Sequence, residues 1–537
     1  MARTGADLVV EALTAAGVKN LFTLSGNQIL SVYDATNGRA IRLIHTRHEA
    51  AAVHMADGWG RLTEQPGVAL VTAGPGHCNA LSALYVALMA ESPVVLLSGH
   101  CPRSQIGRGA FQEIDQVAAA RPVTKAAWLA EDPKHLGEDI ATALYLASAG
   151  RPGPVHLSLP SDLLESVVPD AATDATLPER PRPAPVADAL IGGVLRLLAE
   201  AKRPLILTGP AMGRTIPWRK VERLSEATTV PALPMESPRG VNDPWLHAAK
   251  GCLSKADLVL LLGKKLDFSL RFGRPPAFSP QCRFIQVGDD AEQIGDETRV
   301  ALTVRGDPPA VVSRLTEAAQ EWPWQHRSWG AEVAAARNTT PAEWEQLRRS
   351  SRRPIHPLRV CAAVQPFLDD GAALVCDGGE FGQWAQAGLE AGCRLINGLS
   401  GGIGSALPLA VAAKLSYPRR NVFVALGDGT FGFHALELDT ALRYRSPIIA
   451  IVGNDACWNA EYQLQLQHYG AERAVGCDLL FSRYDKVAEA LGGHGEYVED
   501  PDELTPALKR AVESGLPACV NVIIDGVAAP VSQLRDH

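Results

Sequence analysis

A chain of 537 residues is too long to fold around one hydrophobic core and points to about three domains. Hydrophobic residues make up 46% and charged residues 20%, the balance of a large α/β protein rather than a disordered or fibrous one. A net charge of −8, with the basic residues dispersed, excludes the electrostatic footprint of a nucleic-acid binder and leaves small molecules as the expected partners.

The ten cysteines include no Cys-x-x-Cys pair and no Cys/His metal spacing, so they read as reduced thiols; Cys361, Cys376 and Cys519 fall in expected core segments. The chain opens directly into an expected helix, TGADLVVEALTAAG, with no targeting segment, and no apolar run reaches membrane-spanning length. A soluble cytoplasmic protein without a membrane partner is the expectation.

In an N-terminal domain over 1–168, the short apolar strands LFTL, IRLIH, GVALVTA and PVVLLSG alternate with helices, which predicts a doubly wound parallel sheet. Glu49 opens the helix after IRLIH, near the carboxyl edge of that sheet; taken alone, it complements a helix dipole. The proline-rich stretch over 169–188 reads as an extended linker. A central α/β domain over 189–330 follows, with strands RPLILTG, ADLVLLLG and CRFIQVG. It has no G-x-G-x-x-G, and its GPAMGR turn imitates a nucleotide loop only weakly. Lys264, Lys265, Arg271 and Arg274 form a basic cluster that suits phosphates or, equally, a solvated face. A helical, polar linker over 331–355 leads to a third α/β domain over 356–537.

In that third domain NVFVAL reads as a buried strand, Gly427-Asp428-Gly429 as a tight turn opening a helix, and PIIAIVG as the next strand, followed by Asn454-Asp455-Ala456-Cys457-Trp458. Neighbouring parallel strands would bring Asp428 and Asp455 together on one Mg²⁺, a cation that takes one or two carboxylates and completes its shell with phosphate, water or carbonyl oxygens. Gly429 lets the backbone approach a phosphate, and the amides opening the helix, near Thr430, can hydrogen-bond it.

A GDG turn followed a strand, helix and strand later by NDACW resembles the diphosphate motif of thiamine-diphosphate enzymes of the acetolactate synthase, benzaldehyde lyase and 2-hydroxyacyl-CoA lyase group. The segments LFTLSGNQILSVYDA, RHEAAAVHMADGWGR, GVALVTAGPGHCNA and FQEIDQVAAARPVTK match in order, so the resemblance covers nearly the whole chain. FGFHALELDTA looks most like 2-hydroxyacyl-CoA lyase and oxalyl-CoA decarboxylase. The resemblance implies three doubly wound parallel-sheet domains in series (pyrimidine-binding, central and diphosphate-binding), with thiamine diphosphate and Mg²⁺ as cofactors.

By the same resemblance Asp428, Asp455 and the main-chain oxygen of Cys457 are the metal ligands, and Gly427, Gly429, Thr430 and Trp458 border the diphosphate. The family usually has Asn-Asn where this chain has Asn454-Asp455, so an amide ligand becomes a carboxylate. Glu49 takes the role of the glutamate that hydrogen-bonds the aminopyrimidine ring, next to the Gly74 turn. Ile403 is the wedge that folds the two cofactor rings together, Gly401 offers its carbonyl to the exocyclic amine, and Gly379, Glu380 and Phe381 form a turn supplying amides.

For the substrate, Gln112 matches an active-site glutamine, and Gln28, beside Asn27, stands where benzaldehyde lyase has a catalytic histidine. An amide is no general base, so Gln28 can only orient a carbonyl or a water. Proton transfer is then left to the cofactor's own imine or to His77, His434 or Glu461, with Ala460 and Gln465 on the same helix as Glu461 as substrate contacts. The implied activity is a lyase or carboligase of 2-hydroxyacyl or 2-oxoacyl compounds and aldehydes. Acetolactate synthase-type transfer from pyruvate, oxalyl-CoA-type decarboxylation and noncatalytic cofactor binding are the alternatives. A homodimer or homotetramer with interface active sites is implied, while CoA, ADP or FAD binding by the central domain stays open.

Overall fold

A computed structural model of the chain describes residues 2–169, 185–289 and 298–530, so most of the proline-rich stretch expected as a linker lies outside the described residues. The apolar runs fold as buried strands because helices cover both faces of each sheet, the environment in which parallel strands lose their polar alternation.

The first sheet holds β1 (Asn20–Thr23), β2 (Arg42–His45), β3 (Gly67–Val71), β4 (Val94–His100), β5 (Ala126–Leu129) and β6 (Val155–Pro160). The second holds β7 (Pro204–Thr208), β8 (Ala232–Pro234), β9 (Leu258–Leu262), β10 (Arg283–Gly288) and β11 (Val300–Arg305). The third holds β12 (Ala373–Cys376), β13 (Cys393–Ile396), β14 (Val422–Gly427), β15 (Ile449–Asn454), β16 (His494–Val498) and β17 (Ala518–Ile523). Their orders are β2-β1-β3-β4-β6-β5, β11-β10-β9-β7-β8 and β13-β12-β14-β15-β17-β16, with every paired strand parallel. Three doubly wound parallel sheets in series therefore make up the fold.

The first and third domains share one hydrophobic core. Its seam is the helix Glu49–Thr63, which follows β2, against the helix Ala406–Ser416, which follows β13. Small residues allow the close approach: a Cβ on Gly58 would sit 3.0 Å from the Ala412 methyl. Polar ties reinforce the seam, since Arg47 N donates to the Glu437 carboxylate at 3.0 Å and Arg443 donates to the His45 carbonyl at 2.7 Å. The central domain attaches through a half-buried Arg214 guanidinium, which donates to the carbonyls of Ala90 and Glu91 at 2.9 and 2.6 Å. Between the second and third sheets, helices Arg327–Arg337 and Glu343–Arg348 carry Trp344 onto Trp384, with ring centroids 5.8 Å apart. No helix among the described residues is long and apolar enough to cross a membrane.

Candidate functional site

A cavity of about 220 Å³ opens at the carboxyl edge of the third sheet, beside the ends of β12, β14 and β15. It brings together Gly379, Glu380, Phe381, Gly401, Ile403, Gly427, Asp428, Gly429, Thr430, Asp455, Cys457, Trp458, Ala460 and Glu461. Residues far apart in sequence meet because β12, β14 and β15 are consecutive in the sheet, so the loops after them converge at one edge.

Asp428 is 2% exposed, its Oδ2 has no hydrogen-bond partner, and burial lifts its pKa to about 6 against the backbone amides of Gly429, Cys457 and Ala456. Asp455 rises to about 7, first from burial and then from the charge of Asp428; Asn459 donates to it at 2.8 Å. A buried and a half-buried carboxylate repelling each other, one with an orphaned oxygen, favour a divalent cation. Among the described residues no group of three His, Cys, Asp or Glu side chains could hold a metal. A cation between Asp428 and Asp455 would therefore draw its remaining ligands from backbone carbonyls, water or phosphate, the shell a diphosphate-bound Mg²⁺ uses. The donor set fits that pair of cofactors.

The cradle around the carboxylates is built for close approach. Gly379 and Gly401 have φ of 81° and 68°, and a Cβ on Gly429 would lie 2.6 Å from the Trp458 ring. Thr430 Oγ1 donates to the Gly427 carbonyl at 3.0 Å and holds the turn. The Glu380 carboxylate, in the cavity wall, accepts from Ala529 N at 2.5 Å and from Gln383 at 3.0 Å. Sequence reasoning missed Ser237, Pro238 and Arg239 of the central domain, and Gln383, Gln386, Asn397 and Asn459 of the third, all in the cavity wall. Asn397, the residue after β13, sits in a stretch already singled out, NGLSGGIG.

The residues expected at the pyrimidine end lie elsewhere in the chain's own structure, at the carboxyl edge of the first sheet. Glu49 is buried and accepts from Asn79 Nδ2 at 3.0 Å. Gln28 accepts from Thr72 Oγ1 at 2.5 Å, and Asn27 beside it is exposed. Gln112 has φ of 61°, a left-handed conformation, and a buried Oε1 without a partner. Gly74, at φ 54°, lies under it: a Cβ there would meet the Gln112 carbonyl at 2.5 Å. None of Glu49, Gly74, Gln28 or Gln112 lines the cavity of the third domain.

Several expected proton-transfer and substrate groups are engaged in other ways. His77 is fully buried, pairs with Ser98 Oγ at 2.9 Å and stacks 4.5 Å from His156; burial lowers its pKa to about 4. His434 donates from Nδ1 to the Gly404 carbonyl at 2.7 Å and meets the rings of His48 and His54 edge-on. Gln465 staples a loop, exchanging hydrogen bonds with Val475 at 2.8 and 3.0 Å. Glu461 stays exposed at the cavity rim. The basic cluster is split: Lys264 is buried against the Asp267 carboxylate at 2.8 Å, Lys265 is exposed, and Arg274 lies 5.9 Å from the Phe272 ring. Arg271, at φ 48°, shares that turn, outside the cavity.

Residues 3–119, 191–315 and 377–522 match the family models of the thiamine pyrophosphate enzyme N-terminal TPP binding domain, central domain and C-terminal TPP binding domain. The chain is 37% identical to a probable acetolactate synthase of Mycobacterium bovis, over 97% of this chain and 96% of that protein. It is 32% identical to 2-hydroxyacyl-CoA lyase 2 of Danio rerio, over 97% of this chain and 92% of that protein. Against 2-hydroxyacyl-CoA lyase 1 of Homo sapiens the identity is 30%, over 99% of this chain and 96% of that protein. With its TPP-binding domains at both ends and this likeness along its length, the chain belongs to the thiamine-pyrophosphate-dependent enzymes.

Proposed function

We propose that this enzyme is a Mg²⁺-dependent C–C lyase or carboligase acting on 2-hydroxyacyl or 2-oxoacyl compounds and aldehydes. The observation that carries the reading is the Asp428–Asp455 pair beside Ile403 in one cavity, while Glu49 stands on a second sheet edge. Thiamine diphosphate, when bound, supplies a nucleophilic carbon for attack on a carbonyl group. The chain's own residues do the rest. Asp428, Asp455 and the Cys457 carbonyl would hold the cation, and Glu49 would exchange a proton with the pyrimidine nitrogen. Gln112, whose Oε1 lacks a partner, and Gln28 would orient substrate oxygen through their amides. Trp458 and Phe433, edge-to-face at 6.4 Å, would keep water from the rim.

We read the functional unit as at least a homodimer, up to a homotetramer. Support comes from the separation of the two half-sites within one chain and from exposed apolar side chains around each: Leu30 and Phe111 on the first edge, Phe433, Leu480 and Phe481 on the third. A cytoplasmic location is supported by ten free thiols.

Acetolactate synthase-type transfer is the second reading, favoured by the 37% likeness to the mycobacterial protein. Product analysis by mass spectrometry, with loaded enzyme offered pyruvate, aldehydes, 2-hydroxyacyl-CoA and oxalyl-CoA, separates the readings. Cleavage or formation of 2-hydroxyacyl compounds is expected; turnover of pyruvate alone would overturn the lyase assignment. A loss of acyl-CoA turnover confined to the Arg271→Ala, Arg274→Ala double variant would assign that turn to CoA.

A further inference from the structure

At the end of β12 the Asp377 carboxylate is fully buried, and among the described residues no cationic side chain pairs with it. Burial raises its pKa to about 6. An anion held in that environment is costly unless hydrogen bonds compensate it. All its partners are backbone amides: Gly378 N at 2.7 Å, Gly404 N at 2.9 and 3.1 Å to the two oxygens, and Ala406 N at 3.1 Å.

Gly404 and Ala406 belong to the loop that carries Ile403 into the cavity. The helix Ala406–Ser416 that follows has no side-chain cap from Ser405, so Asp377 performs the capping from a separate strand. Other groups grip the same loop. Asn397 Nδ2 donates to the Gly402 carbonyl at 3.2 Å and His434 Nδ1 to the Gly404 carbonyl at 2.7 Å. Ile403 leans on the end of β12 so closely that a Cβ on Gly378 would lie 2.8 Å from its Cγ2. Gly404, the residue after Ile403, is thus tied at both its N–H and its C=O.

We propose that Asp377 is a positioning residue that sets the height of Ile403 in the cavity, acting through the amides of Gly404 and Ala406. The inference rests on the reading of Ile403 as the wedge between the cofactor rings. Asparagine at 377 has nearly the same shape, yet its amide would turn a donor toward one of those N–H groups, and the loop would shift.

The test measures Mg²⁺-dependent thiamine-diphosphate affinity by calorimetry and hydrogen–deuterium exchange at cofactor C2 by NMR. Asp377→Asn should keep affinity within about threefold, because the diphosphate ligands are untouched, and slow C2 exchange about tenfold or more, as expected when a charge-assisted contact is lost. In an Ile403→Ala background the same substitution should slow exchange no further, since contacts that act through one group are not additive. Asp377→Glu, which keeps the charge on a longer arm, should behave in the same way in both backgrounds. Unchanged exchange, or equal slowing with and without Ile403, overturns the proposal, as does failure of both variants to fold by circular dichroism. Failure of the wild type to bind thiamine diphosphate with Mg²⁺, or to exchange C2 at all, would instead overturn the functional reading beneath it.

Discussion

Counted within each domain, the first and third sheets have one strand order, 2-1-3-4-6-5, but their carboxyl edges carry different groups. After the second strand stands Glu49 in the first domain and the Ile403 loop in the third; after the third strand stand Gly74 and Asp428. At the first edge the Glu49 carboxylate and Gln28 are hydrogen-bonded, burial lowers the pKa of His77, and the orphaned oxygen is the neutral amide Oε1 of Gln112. The third edge holds two carboxylates with raised pKa values and an orphaned oxygen. One backbone plan therefore yields an edge whose carboxylate is hydrogen-bonded and an edge whose paired carboxylates repel each other. What differs is the placement of charge relative to burial, not topology.

The strongest way to break that contrast is to remove the carboxylate with the orphaned oxygen. Asp428→Ala should abolish Mg²⁺-dependent binding of thiamine diphosphate in calorimetry, and retained affinity would mean that the third edge does not hold the diphosphate. Glu49→Gln tests the other edge: cofactor affinity should stay nearly unchanged while C2 proton exchange, followed by NMR, slows by roughly two to four orders of magnitude. Equal losses of affinity in both variants would erase the division of labour between the edges.

Glu437 probes the seam where the two domains meet. It is 1% exposed, accepts from Arg47 N and Thr440 Oγ1, and burial pushes its carboxyl to about 7 from 4.5. A raised acid pKa means that the folded state favours the protonated form. That contribution to stability is present at low pH and is lost as pH climbs from about 4.5 through 7. Glu437→Gln should shrink the fall in thermal stability between those pH values by about 1–3 kcal/mol. An unchanged pH profile would place the titration elsewhere.

The smallest effect is expected at Asp455. Asp455→Asn keeps an oxygen ligand and relieves the repulsion from Asp428, so cofactor affinity should change by less than about tenfold, with a milder pH dependence of metal binding by calorimetry. A loss as large as that of Asp428→Ala would make the second carboxylate as necessary as the first.

Much of the site was legible because short-range motifs carry their own geometry. Strand, Gly-Asp-Gly turn and helix mark where Asp428 must stand, and the strand after them brings Asp455 to the same edge in any parallel sheet. Wall residues from the central domain, Ser237 to Arg239, carry no such signal, since nothing in their local pattern tells which sheet edge they face. The histidines show what local pattern leaves out. His77 and His434 look like proton carriers from their neighbours in sequence, but each is committed to Ser98 or to the Gly404 carbonyl.

By itself the sequence determined three parallel α/β domains, the acidic pair Asp428 and Asp455 at one sheet edge and the glycines around it, because periodicity, turn chemistry and strand order are local or nearly local properties. Only the tertiary structure decided that Glu49 and Asp428 stand on separate edges, that Lys264 is spent on Asp267, and that Asp377 grips the Ile403 loop. Those outcomes depend on burial and on which groups compete for each hydrogen bond, and both are properties of the packed chain.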